Sequence, residues 1–243
     1  MTKNSNSKTD VLFFGTHPDD VELYCGGTVH KLTNSGKRIV IVDLTRGELG
    51  TRGNAETRST EAEKAGKILG ISSRECLNIP DGDIENNKEN REKVISAIRK
   101  YQPEIIFAPY PFDRHPDHIN AGELIRDSNF YSGLIKVEIK GSVAYKAPQV
   151  FYYPHIYDIP VSFVFDISGS FDKKMESVFA YSTQFYNEKQ NNNEPETFIS
   201  TKAFKEMIEA RSKMWGFKIG AEHGEPYFTY ENIKIDSENI FTI

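Results

Sequence analysis

Short apolar runs alternate with amphipathic stretches through the first half of the chain. Val11-Leu12-Phe13-Phe14-Gly15 reads as a buried strand, and Arg38 to Leu44, Glu75 to Ile79 and 104–108 read as three more. Between them lie helical patterns. One begins near Val21 and ends at Asn34-Ser35-Gly36, one runs from about Ala55 to Leu69 with Gly70 as its C-cap, and one from about Lys88 to Tyr101. Strand–helix alternation with connections of this length predicts parallel βαβ units. Right-handed crossovers in the commonest winding order set the first strand beside the fourth, where the winding reverses. The predicted fold is therefore α/β, a doubly wound, mostly parallel sheet with helices on both faces.

The second half is less regular. Lys146 to Tyr153 and Ser162 to Ile167 are rich in aromatic and β-branched residues and read as strands. Asp172 to Gln184 and Thr201 to Phe217 read as helices, with a polar, Asn-rich segment at 187–196 expected to be a mobile loop. Repeats and domain boundaries are not visible, so residues 11–243 are expected to form one domain behind a flexible tail at 1–10. Gly26-Gly27 lies inside the first helix, where each glycine costs about 1 kcal/mol relative to alanine. Such a pair is expected where another element approaches closely.

Composition narrows the function. With 38% hydrophobic and 27% charged residues in 243, the chain belongs to the globular class. A net charge of −5 argues against a general nucleic-acid or anionic-membrane binder. The polar opening segment lacks the apolar core of a signal peptide, and no run reaches membrane-spanning length. The expected location is the cytoplasm, with Cys25 and Cys76 as separate buried thiols.

The chemistry concentrates in two clusters, each directly behind an apolar strand: Thr16-His17-Pro18-Asp19-Asp20 and Arg114-His115-Pro116-Asp117-His118. Open α/β sheets collect functional groups at the carboxyl ends of their strands, so the two clusters should share one cleft. Alone, the first would read as a helix cap and the second as a structural loop; together they predict a metal site. Catalytic zinc takes three nitrogen or oxygen ligands and keeps a fourth position open. His17 and Asp20 stand three apart at a helix start, and His118 or His115 can supply the third ligand. Asp19 is the carboxylate left to accept a proton, and a second imidazole can donate one. The glycine-rich loop Thr45 to Gly53 lies at the same sheet edge but lacks the spacing of a phosphate-binding loop. Arg58 in the first turn of a helix opposes the helix dipole, which suggests a local role.

The chain resembles the LmbE-like, or PIG-L-type, zinc de-N-acetylases, which carry a His-Pro-Asp-Asp motif after the first strand and a His-Pro-Asp-His motif after a later one. The likeness also takes in Asp43 to Gly50, the Glu56-Thr57-Arg58 helix start, and the late Ala210-Arg211 and Gly220 to Phe228 stretches. It implies an LmbE-like, Rossmann-like fold and one Zn2+ per chain held by His17, Asp20 and His118, with Fe2+ as the alternative metal. Asp19 would be the general base, and His115, oriented by Asp117, the acid or oxyanion stabiliser. Arg58 and Arg114 would contact the sugar or its anionic aglycone. Within the family it looks most like the bacillithiol-biosynthesis deacetylases acting on N-acetylglucosaminyl malate. Relatives act on other N-acetylglucosamine compounds, including diacetylchitobiose. The implied partners are a small amino-sugar substrate and other copies of the chain in a homo-oligomer. Where relatives often read Tyr-Ala-Glu-Gly-Phe, this chain has His223-Gly224-Glu225-Pro226-Tyr227, expected near the substrate or a subunit contact. A non-haem iron enzyme and a non-catalytic sugar-binding module are the competing readings.

Overall fold

The computed structural model describes residues 8–186 and 194–234. Residues 1–7 of the expected tail and 187–193 of the expected Asn-rich loop lie outside the described residues. Five parallel strands form the main sheet: β1 (Val11–Gly15), β2 (Ile39–Asp43), β3 (Ser73–Cys76), β4 (Ile105–Pro109) and β5 (Gln149–Tyr153). Their order is β3-β2-β1-β4-β5, so the winding reverses between β1 and β4, as the connection rules predict. The register pairs Val11 with both Ile39 and Ile105, which brings the C-terminal ends of β1, β2 and β4 to one edge.

The helices cover both faces. Leu12 and Phe14, with Val40, Val42 and Ile106, pack on Val94 and Ile98 of α3 (Lys88–Tyr101) and Leu124 and Ile125 of α4 (Pro116–Ser132). Val11 and Phe13, with Ile39, Ile41 and Phe107, pack on Val21, Cys25 and Val29 of α1 (Asp20–Asn34) and Leu69 of α2 (Ala55–Leu69). Period-2 alternation thus feeds two apolar faces, and β1 is buried throughout. Cys25 is buried as expected, Cys76 is half-buried, and both thiols are free.

Outside α1 and α2 lie α5 (Phe171–Val178) and α6 (Lys202–Lys218), while an antiparallel pair of β6 (Phe163–Asp166) and β7 (Gly224–Tyr227) packs beside α1 against Phe107 and Phe151 of the main sheet. Among the described residues no helix is long and apolar enough to cross a membrane.

Several boundaries depart from the sequence expectation for local reasons. The third strand starts earlier than expected and stops at Cys76, because Asn78 turns to a positive φ of 51°; Leu77 and Ile79 still donate to the carbonyls of Asp43 and Leu44. The helix expected to reach Gln184 ends at Val178. Beyond it, the buried Glu61 carboxylate draws in the hydroxyl of Ser182 and both the N–H and hydroxyl of Thr183, competing with helical bonding. Helix α4 was not foreseen, although Pro116 stands at its first position and His115 at its N-cap. Strand β7 escaped because Gly224 and Pro226 argue against a strand.

The glycine pair in α1 has its predicted purpose. A Cβ on Gly27 would lie 2.6 Å from Ile167 Cδ1 and 2.7 Å from Ile167 Cβ, and one on Gly26 would lie 3.2 Å from Lys174 Cγ. Beside this contact, the buried Glu225 carboxylate accepts the N–H groups of Gly27 and Thr28, the Thr28 hydroxyl and the Lys174 ammonium. Gly27→Ala therefore forces Ile167 out of place, at the about 1–3 kcal/mol typical of overpacking. In calorimetry this should lower Tm by roughly 2–4 °C per kcal/mol for a chain of this size. An unchanged Tm would show that Ile167 does not bear on α1.

Candidate metal and active site

The two histidine–aspartate clusters meet as predicted. His17 follows β1, Asp19 is the N-cap of α1, Asp20 opens that helix, and His115 to His118 span the start of α4. They line a cleft of about 300 Å³ together with Tyr24, Leu49, Asp81, Asp113, Arg114 and Phe198. That volume is at the lower end for small-molecule sites.

At the floor, His17 Nδ1 lies 3.6 Å from Asp20 Oδ2, and His118 Nε2 lies 3.6 Å from Asp20 Oδ1. The outer nitrogen of each imidazole is held by a carboxylate: His17 Nε2 lies 3.0 Å from Asp81 Oδ1, and His118 Nδ1 lies 2.6 Å from Asp113 Oδ2. A carboxylate on the outer nitrogen fixes the proton there and leaves the inner lone pair free, the arrangement found behind metal-ligating histidines. His17, Asp20 and His118 offer ligand atoms within 4.8 Å of one another, and two further such sets are His17–His115–Asp117 and Asp113–His118–His155. The first set fits a divalent cation best, because both of its imidazoles are already oriented from behind.

Electrostatics agree. Burial opposes charge on His17, yet hydrogen bonds to Asp117, Asp20 and Asp81 raise its pKa well above the usual value. Burial alone would raise Asp20, but His118, His17 and His155 hold it well below the usual carboxylate range. Asp81 is drawn down to about 2, its burial outweighed by His17 and the Leu49 N–H.

Asp19 stands apart from this cluster. It has a strained φ of 122°, and its Oδ2 accepts from Arg58 Nη2 at 2.6 Å. Burial pushes its carboxyl up to about 7 against the pull of the Arg58 guanidinium. Arg58 is buried and also donates to the carbonyls of Pro18 (2.8 Å) and Gly47 (3.3 Å). The glycine-rich loop serves this contact, since a side chain at Gly47 would start 2.4 Å from the guanidinium. The misplaced cation in the first turn of α2 is thus explained by a partner outside the helix.

His115 Nδ1 accepts the N–H of Asp117 at 3.2 Å. The neutral ring then carries its proton on Nε2, and burial together with His118 and His17 lowers its pKa. Asp117 meets His115 through its main-chain N–H. The Asp117 carboxylate accepts from the Gly82 N–H at 2.8 Å and lies 3.6 Å from His17 Nε2. Arg114 is exposed at the cleft mouth, its guanidinium 4.2 Å above the Phe198 ring.

His223 is not among the residues that line the cleft. It is buried just ahead of β7, stacked on Phe171 at 3.9 Å and 3.2 Å from Ser212 Oγ. Three residues went unremarked as site groups: Asp81, Asp113 and His155. Asp81 and His155 follow strands of the same sheet, and Asp113 directly precedes the second motif, so strand-end position was the available signal.

Comparison with known proteins agrees with this geometry. Residues 12–128 match the family model described as PIG-L, GlcNAc-PI de-N-acetylase. The chain is 32% identical over 195 residues to a diacetylchitobiose deacetylase of Thermococcus kodakarensis, covering 74% of this chain and 72% of that one. It is 29% identical over 128 residues to a Bacillus cereus protein described as a probable N-acetyl-α-D-glucosaminyl L-malate deacetylase 2, covering 47% of this chain and 58% of that one. Among solved structures, a conserved protein of Thermus thermophilus superposes with a TM-score of 0.85 at 33% identity, covering 94% of this chain and 98% of that one. The chain belongs to the PIG-L, or LmbE-like, family of deacetylases, amide-hydrolysing enzymes of the N-acetylglucosamine type.

Proposed function

We propose that the chain hydrolyses the N-acetyl group of an N-acetylglucosamine derivative with one Zn2+ held by His17, Asp20 and His118. The observation that carries this reading is the pairing of two imidazoles across Asp20, each braced from behind by Asp81 or Asp113. Neither a sugar-binding module nor a structural histidine pair needs that bracing next to a separate basic carboxylate. When bound, the ion polarises the acetamide carbonyl and acidifies water.

The protein groups supply the proton traffic. Asp19, held by Arg58 beside the ligand Asp20, accepts a proton from the attacking water. The water oxygen bonds to the acetamide carbon, and the neutral His115 ring donates its Nε2–H to the oxygen on which charge develops. The C–N bond then breaks as the amine nitrogen takes up the proton that Asp19 accepted, giving acetic acid, which ionises to acetate, and the free amino sugar.

For the aglycone we infer malate. The guanidinium of Arg114, braced flat over Phe198 at the exposed mouth, suits a carboxylate bidentately. Diacetylchitobiose is the second reading, favoured by the Thermococcus relative. Arg58, spent on Asp19 and two carbonyls, serves the base and the sugar common to both substrates.

Asp19→Asn should keep metal content near normal while activity collapses, and Asp20→Ala should lose the metal. Metal analysis after dialysis checks both, and the opposite pattern would exchange their roles. His115→Ala should slow acetate release on the order of a hundredfold or more, the scale of general acid–base groups, with metal still bound; an empty site would make His115 a ligand. Arg114→Ala should reduce kcat/KM for the malyl glycoside about ten- to hundredfold more than for N-acetylglucosamine, the worth of a charged hydrogen bond. Arg58→Ala should reduce both alike. A wild type that prefers diacetylchitobiose to the malyl compound would favour the second reading.

A further inference from the structure

An acetamide in this cleft has three substituents to place on its planar carbon. The nitrogen carries the sugar, which must reach the mouth. The carbonyl oxygen belongs with the groups that stabilise developing charge. The methyl group is left to point inward, along the start of α1. Residues three and four positions apart share one face of a helix. Leu23 and Tyr24 stand at those distances from Asp20, and all three line the cleft.

This side of the cleft is apolar. Leu23 is buried in a cluster with Phe185 and Ile208, and Phe185 lines the cleft as well. Tyr24 meets His155 edge-on at 4.6 Å, and His155 stacks on His118 at 3.7 Å, so the apolar wall continues directly from the imidazoles of the floor.

Leu23 and Tyr24 also line a second, smaller cavity of about 30 Å³. They are therefore the partition between the two spaces. The space behind them exceeds the about 10–15 Å³ that one water needs. Met207, Ile208 and Trp215 give it apolar surface. Its charged side chains are engaged already, Lys174 with Glu225 and Arg211 with the His155 carbonyl.

We propose that Leu23, flanked by Tyr24, is the end wall of an acyl pocket and sets the length of acyl group that is removed. The wall stops at acetyl, and shortening it opens the cleft into the cavity behind. The proposal rests on the N-acetylglucosamine reading above and adds to it a determinant of acyl specificity. Its test compares N-acetyl, N-propionyl and N-butyryl forms of glucosaminyl malate and of chitobiose, with amine release measured for each. From acetyl to propionyl the wild type should lose about ten- to 200-fold in kcat/KM, the worth of one methylene in an apolar pocket. Leu23→Ala should shrink that penalty at least about tenfold, while the volume-conserving Leu23→Met should keep it. The ratio isolates the wall, because a merely loosened helix slows every acyl form alike. Should Leu23→Ala not fold, Leu23→Val is taken through the same series and should shrink the penalty in the same direction. A wild type that removes propionyl as readily as acetyl would overturn the proposal, as would an unchanged penalty in the folded, shortened variant. Amine release from none of the compounds would instead overturn the function proposed above.

Discussion

The cleft depends on one electrostatic constraint: Asp19, Asp20, Asp81, Asp113 and Asp117 are all buried or nearly so around one floor. Like charges so close raise one another's cost of ionisation, and the low dielectric of the interior magnifies it. Arg58 neutralises Asp19, and the histidines draw down Asp20, Asp81 and Asp113. Such a floor is stable only if positive charge is concentrated among the imidazoles, as protons or as a cation. A divalent ion satisfies it with one species and frees the histidines from carrying protons. The proposed division of labour has a geometric basis, because Asp19 is already paired with the Arg58 guanidinium while Asp20 faces the imidazoles.

Much of this was legible in the sequence, for identifiable reasons. The parallel core could be read because β1, β2 and β4 are nearly unbroken apolar runs between amphipathic helices. The cleft could be read because both histidine motifs stand behind such runs. What stayed hidden depends on side chains meeting across loops. Nothing local to Asp81 reveals that its two oxygens hold His17 Nε2 and the Leu49 N–H, 3.0 and 2.9 Å away. Arg58 could be recognised as out of place on its helix, but its partner lies 39 positions earlier. His223 could not be placed from the sequence, because a histidine among glycines and acids resembles a site when the pairing of β6 with β7 is not yet known.

In the proposed reading, substrate choice and chemistry fall to different parts of the molecule. The groups proposed for hydrolysis sit on strand ends and first helical turns, where the sheet fixes them. The cleft mouth includes Leu49, Arg114 and Phe198, which are exposed. Exposed loop residues can change without disturbing the floor, which fits relatives described as a diacetylchitobiose deacetylase and a probable N-acetylglucosaminyl malate deacetylase.

The Glu225 carboxylate also sets a timetable. Helix α1 supplies Asp20 at its start and is gripped further along by a residue 198 positions later in the chain. During synthesis the first motif emerges early, while the Glu225 contact to the helix behind it can form only after the last strand has been made. Packing around the cleft floor is therefore complete only when residues from both ends of the described chain are present.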